Sequence, residues 1–177
     1  MFNIIGIDPG NNVGITIMTI DEYTFDIVNI ETKTLILSNL AGESLIDRCI
    51  LLNKIMLNIM YEYQPYMISM ESSFLNMRFP KAVLQLSQYI NSVLLAINEW
   101  NKYCVVRNYP PKLVKRYIGA GGNADKNQML LTISKIDEIT KHIDVNNITE
   151  HEIDSLAICY LLLKEIKDNP LIGYITN

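Results

Sequence analysis

The stretch Ile4–Met18, IIGIDPGNNVGITIM, decides how this chain is read. An apolar, β-branched run climbs to a single carboxylate, Asp8, turns through Pro9-Gly10-Asn11-Asn12 and returns as a second apolar run. Two such runs on either side of a Pro-Gly turn predict adjacent core strands, Asn3 to Asp8 and Val13 to Ile20. Burying an unpaired carboxylate costs several kcal/mol. Asp8 therefore either sits at a solvated rim and merely starts the turn, or is held at the strand tip for chemistry.

Outward from this hairpin, a third strand is expected over Tyr23 to Ile30. A helix follows from about Glu43 to Tyr63, striped by Leu45, Cys49, Leu52, Ile55, Met56 and Ile59 and ended by Pro65. Tyr66 to Glu71 reads as a short strand that again ends in a carboxylate. Pro80 opens a helix to about Trp100 that is apolar on nearly every side, the pattern of a helix packed on two partners. A fifth strand, Tyr103 to Arg107, leads through Pro110-Pro111 into a short basic helix and the loop GAGGNAD. Helices beginning near Ala124 and Thr149 complete the chain. This order predicts one α/β domain over 1–177, with a five-stranded mixed sheet flanked by helices, its antiparallel strands first and its parallel strands after helical crossovers.

The chain has 177 residues, 49% hydrophobic and 19% charged, a composition that supports a generous core. No segment reads as a signal peptide or a membrane span. Cys49, Cys104 and Cys159 are scattered among apolar residues, which predicts reduced core thiols in a cytoplasmic protein and no disulfide framework. The net charge of −4 argues against a nucleic-acid partner, but its distribution does not. From Met77 to Lys126 eight bases (Arg78, Lys81, Lys102, Arg107, Lys112, Lys115, Arg116, Lys126) face two acids, Glu99 and Asp125, for +6; the remainder carries −10. A basic stretch inside an acidic chain is a candidate phosphate footprint, and equally a solvated charged face.

Two strands thus end in acids, Asp8 and Glu71, and parallel strands in α/β sheets present their carboxyl ends to one ligand crevice. The segment TEHEIDSLA, Thr149 to Ala157, adds His151 and Asp154, three apart and so on one helix face. Hard oxygen and imidazole donors gathered from separate elements suit Mg²⁺ or Mn²⁺. Singly, each has a plainer explanation: Asp8 as a turn former, Thr149 and Glu150 as helix-start residues, His151 as a satisfied surface histidine.

The motifs IGIDPG with Gly14, MESSF, YPPKLVKRYIGAGGNADKNQM and HEIDSLAI occur in the order found in RuvC-type Holliday junction resolvases, of the RNase H-like and retroviral integrase superfamily. The chain resembles that family from Ile4 to about Leu162, least between Tyr23 and Gln64. The resemblance implies a homodimeric, Mg²⁺-dependent endonuclease that nicks four-way DNA junctions in pairs, with two ions per site and Mn²⁺ as a substitute. It puts the metal-binding acids at Asp8, Glu71 and Asp154. The remaining position, a carboxylate in some members, is His151 here, either a metal ligand or an acid/base; Glu150 is the alternative carboxylate. It also implies DNA contacts at Lys115 and Lys126, beside Arg78 and Lys81, and base stacking by Phe74. The helix Lys81 to Trp100 is the expected dimer interface. The small, acidic, Ile- and Asn-rich composition resembles a phage or viral branch, hence a host-cytoplasm location. Other readings are a broader fork or flap nuclease, a non-catalytic junction-binding scaffold, and an actin-like phosphotransferase, for which 177 residues leave no second domain.

Overall fold

Residues apolar on both faces of a strand belong in the middle of a sheet covered on both sides. In a computed structural model that describes residues 1–41, 44–72 and 80–170, β1 (Phe2–Asp8) and β2 (Asn12–Ile20) pair antiparallel, Phe2 opposite Ile20 and Asp8 opposite Gly14. β3 (Ile27–Ile36) lies antiparallel to β2, while β4 (Met67–Glu71) and β5 (Val105–Tyr109) run parallel to β1 and to each other. The order is β3-β2-β1-β4-β5, the mixed five-stranded sheet expected from the sequence.

Helices α1 (Leu37–Ala41), α2 (Leu45–Tyr63) and α3 (Pro80–Trp100) precede β5; α4 (Pro111–Tyr117), α5 (Lys126–Ile133), α6 (Asp137–Thr140), a 3₁₀ turn at Val145–Asn147 and α7 (Glu150–Asp168) follow it. Strand alternation divides the core. Ile5, Ile7, Ile68 and Met70 pack with α2 and α3 on one face. Ile4, Met18 and Met67 pack with α7 on the other, with Met129 and Ile133 of α5 in the same cluster. None of the described helices is long and apolar enough to cross a membrane. Cys49 and Cys104 are half-buried free thiols and Cys159 is a buried one.

Helix α7 starts at an N-cap, Thr149, whose side chain accepts from the Glu152 amide while Glu152 reaches back to the Thr149 amide. Its backbone then lies almost against the sheet. A Cβ on Gly6 would collide with the Ser155 carbonyl and the Cys159 Cβ, and one on Gly14 with the His151 carbonyl. These two glycines let the helix sit where an ordinary side chain would hold it off. Polar atoms trapped in the seam are matched: Thr16 Oγ1 lies 2.8 Å from Ser155 Oγ, and Ser69 Oγ lies 3.3 Å from the carbonyls of Ile5 and Ile158.

The structure corrects several boundaries. The third strand is Ile27–Ile36, not Tyr23 to Ile30. Asp21 captures the amides of Tyr23 and Thr24 and its carbonyl accepts from Phe25, which takes φ 58°, so this segment turns before the strand begins. The fifth strand shifts from Tyr103–Arg107 to Val105–Tyr109, because Asn101 ties down the amides of Tyr103 and Cys104 in a turn. The helix placed near Ala124 begins at Lys126, after the N-cap Asp125. The helices α1 and α6 were not anticipated.

Replacing Gly6 by Ala forces α7 away from β1 in a filled core, which costs about 1–3 kcal/mol. The melting temperature is expected to fall by roughly 3–10 °C. Thermal denaturation of Gly6→Ala checks this, and an unchanged midpoint refutes the close approach.

Candidate active site

Four of the residues named from the sequence meet at the carboxyl end of the central strands. Asp8 and Glu71 close the neighbouring parallel strands β1 and β4, where Ile7 is paired with Met70. Alternation turns both acids toward the α7 side, since Gly6 and Ser69, two residues earlier on each strand, touch that helix. From α7, the His151 Nδ1 comes within 3.2 Å of Asp8 Oδ2. Asp154, one turn further along, shares the same space closely enough to act on the ionisation of both Asp8 and Glu71.

These carboxyls are in an electrostatic conflict. Burial, then the charges of Asp154 and Glu150, push Asp8 up to about 7. Burial, then Asp8 and Asp154, push Glu71 up to about 8, with Lys115 opposing. Asp154 is raised by burial, against the pull of Lys115 and His151. Among the described residues neither Glu71 nor Asp154 has a hydrogen bond or ion pair. Half-buried like charges, offset among the described residues only by His151 and Lys115, suit a cation. The donors are hard carboxylate oxygens and an imidazole, the set that suits Mg²⁺ or Mn²⁺. Among the described residues no three His, Cys, Asp or Glu side chains already close into a metal-binding group. The fit is thus one of donor chemistry and charge rather than finished coordination.

The histidine is oriented by a residue that the sequence did not single out. Asn12 Nδ2 lies 3.3 Å from His151 Nε2. An amide N–H donating to Nε2 leaves the ring proton on Nδ1, where it donates to Asp8. Glu150 Oε1 is 3.7 Å from the same Nε2, but Glu150 is also gripped by Lys126, which holds its carboxyl below the usual range. The second asparagine of the turn was visible in the sequence only as a turn former.

The basic residues divide. Lys115 lies behind the cluster, its ammonium donating to the Ala124 carbonyl at 2.7 Å and acting on Glu71 and Asp154. Lys126 is exposed at the start of α5 and paired with Glu150. Lys81 is exposed in the first turn of α3. Phe74 and Arg78 lie outside the described residues.

Known proteins resemble this chain in sequence and in fold. The family described as Crossover junction endodeoxyribonuclease RuvC matches residues 4–160. A protein named Crossover junction endodeoxyribonuclease RuvC from Ehrlichia canis (strain Jake) is 33% identical over 135 residues, 76% of this chain and 81% of its own. Its namesake from a Wolbachia of Brugia malayi is 27% identical over 167 residues, covering 93% and 96%. Among solved structures, Thermus thermophilus RuvC in complex with Holliday junction substrate superposes with a TM-score of 0.72 at 18% identity, covering 96% of this chain and 97% of that one. The yeast mitochondrial Holliday junction resolvase Ydc2 gives 0.65 at 15% identity, covering 97% and 82%. The sheet and its helices are of the RNase H-like kind.

The electrostatic conflict has a measurable consequence without substrate. A carboxyl raised in the fold binds a proton that the unfolded chain has released, so its contribution to stability is lost as pH rises from about 4 through its folded value. In EDTA at pH 8, Asp8→Asn is therefore expected to be more stable than the unaltered chain, by about 1–3 kcal/mol or roughly 3–9 °C. At pH 4, with Asp8 neutral in the fold and only about half ionised in the unfolded chain, little of that difference remains and the two melting curves should nearly coincide. Calorimetric melting at the two pH values decides it; a destabilised variant at pH 8 contradicts the assignment.

Proposed function

Because the chain belongs to the RuvC family of crossover junction endodeoxyribonucleases, we propose that it nicks four-way DNA junctions in symmetric pairs, as a homodimer that uses divalent metal ions. The observation that carries this reading is the meeting of Asp8, Glu71, His151 and Asp154 at one end of the sheet, with the ionisation of each acid suppressed by burial and by neighbouring carboxyls. Mg²⁺, or Mn²⁺ in its place, suits these donors, and Asp8, Glu71 and Asp154 would hold it. Such a pair supplies an activated water and charge neutralisation at the scissile phosphate.

The chain's own residues do the rest. His151, steadied by Asn12 and Asp8, offers an imidazole for moving a proton to or from the reacting oxygens. Lys115 offsets part of the cluster's negative charge from behind. Lys126 is the candidate phosphate contact: exposed ion pairs contribute about 0–1 kcal/mol, so a DNA phosphate can draw its ammonium from Glu150 at small cost. Lys81 and Arg78 are further candidate DNA contacts, and Phe74 is the candidate base-stacking residue. The structural likeness to a RuvC bound to Holliday junction substrate supports branched DNA as the ligand.

Dimerisation follows from substrate geometry. A two-fold junction needs two sites related by a two-fold axis. The face for it is the outer side of α2 and α3: α3 turns Tyr89, Val93, Ala96 and Ile97 inward and leaves Leu84 and Leu95 exposed, while α2 leaves Ile46 and Ile50 exposed. A groove of about 620 Å³ runs between Ile50, Asn53, Gln88 and Leu95.

Incubation with an immobile four-way junction, a flap, a duplex and an RNA–DNA hybrid, in Mg²⁺ or EDTA, tests the reading. Paired, metal-dependent nicks are expected in the junction, and Asp8→Asn should cut at least about 10³-fold more slowly while still binding it. Leu95→Asp is expected to sediment as a monomer and to lose the pairing of nicks. Equal cutting of all four substrates would replace junction resolution by a broader nuclease, and binding without cutting by a scaffold.

A further inference from the structure

The turn that joins Asp8 to β2 is held from the face opposite the acids by one side chain, Asn11. Its Oδ1 accepts from Arg48 of α2 at 2.5 Å and from the Tyr89 hydroxyl of α3 at 3.2 Å. Its carbonyl accepts from the Leu37 amide at 3.1 Å, at the start of α1. Two donors converging on one atom identify it as the amide oxygen. Tyr89 is 1% exposed, and its oxygen already accepts from Gln85 Nε2 at 3.1 Å, so its proton is committed to Asn11.

Among the described residues, little else secures the turn on that side. A cleft of about 220 Å³ separates Gly10 and Asn11 from Ala82, Gln85 and Leu86 of α3, so apolar packing does not close there. The next residue, Asn12, points the other way and reaches His151. Asn11 and Asn12 thus bind the α2/α3 layer and the α7 layer to the same few backbone atoms, three and four residues after Asp8.

We propose that Asn11 is a positioning residue: through Tyr89 and Arg48 it fixes the turn so that Asp8 stands ready to share divalent ions with Glu71 and Asp154. Its bearing on DNA cutting rests on the nuclease reading above; its bearing on metal affinity does not. Partners outside the ligand shell that orient a metal-binding group typically affect affinity 10–100-fold. Asn11 acts through the backbone, at the lower end of that range.

The full chain and three variants, Asn11→Ala, Tyr89→Phe and Asn11→Asp, test this. Mn²⁺ binding is measured by titration calorimetry, junction affinity in Ca²⁺, and single-turnover cutting against Mg²⁺ concentration. Asn11→Ala should weaken Mn²⁺ binding and raise the Mg²⁺ midpoint about tenfold, with junction affinity within twofold. Tyr89→Phe should move both about threefold the same way. Asn11→Asp keeps an oxygen for both donors and should restore metal affinity to within about threefold. An unmoved Mn²⁺ affinity in Asn11→Ala overturns the proposal, as does an equal loss in Asn11→Asp, or a fall in cutting that follows only a lower folded fraction. An unaltered chain that binds Mn²⁺ but cuts no junction refutes the nuclease reading instead, and the calorimetric series still decides the role of Asn11.

Discussion

The arrangement depends on how near one helix backbone comes to two strands. Helices normally stand off a sheet by the length of the side chains between them. At Gly6 and Gly14 there is no side chain, and α7 settles against β1 and β2 until the carbonyls of Ser155 and His151 occupy the space of a Cβ. Aspartate has only one methylene between backbone and carboxyl. Asp8 and Asp154, from different elements, share one electrostatic environment because the backbones carrying them are already this close. Gly14 lies directly across from Asp8 in the ladder, so this close approach and the acid are neighbours at one end of the strand pair. The glycines thus shape the site without contributing an atom to its chemistry.

That proximity runs against electrostatics. Three carboxyls are held where burial and neighbouring carboxylates disfavour their charge, and the fold holds them there through α7, whose Leu156 to Leu163 are all buried. A buried helix of this kind contributes far more stability than the acids subtract, since each fully buried aliphatic side chain is worth about 1.5–3 kcal/mol. The matched seam of Thr16, Ser155 and Ser69 fixes its register on the sheet. Register matters because a helix displaced by one residue turns its functional face by about 100°.

The sequence was most legible where chemistry and local structure coincide. Strand tips ending in Asp8 and Glu71, and a capped helix carrying His151 and Asp154, follow from periodicity and from charge placed against apolar runs. Their convergence followed from the shared direction of parallel strands. The glycines were legible as motif letters, but what they avoid touching lies some 140 residues away, and no local rule discloses it. Asn11 and Asn12 read as turn formers because their other partners, Tyr89, Arg48 and His151, are likewise remote. The misplaced strand at Tyr23 has a different cause: its aromatic residues favour a strand, and one carboxylate, Asp21, captures enough amides to prevail.

The contacts around the site also fall into two strengths, and the division fits an enzyme that must be rigid toward metal and yielding toward substrate. The seam under α7 is buried, and so is Tyr89 in its bond to the exposed Asn11; leaving a buried polar group unpaired costs about 1–3 kcal/mol. They hold one geometry. The Lys126–Glu150 pair is at the exposed rim, where an ion pair is worth a fraction of that and is screened by salt. A phosphate taking Lys126, as proposed, would exchange one anionic partner for another and release Glu150, whose carboxylate here lies 3.7 Å from the His151 imidazole. On that reading substrate arrival would alter the charge near His151, while the close approach of α7 to β1 and β2 keeps the backbones of Asp8 and Asp154 together.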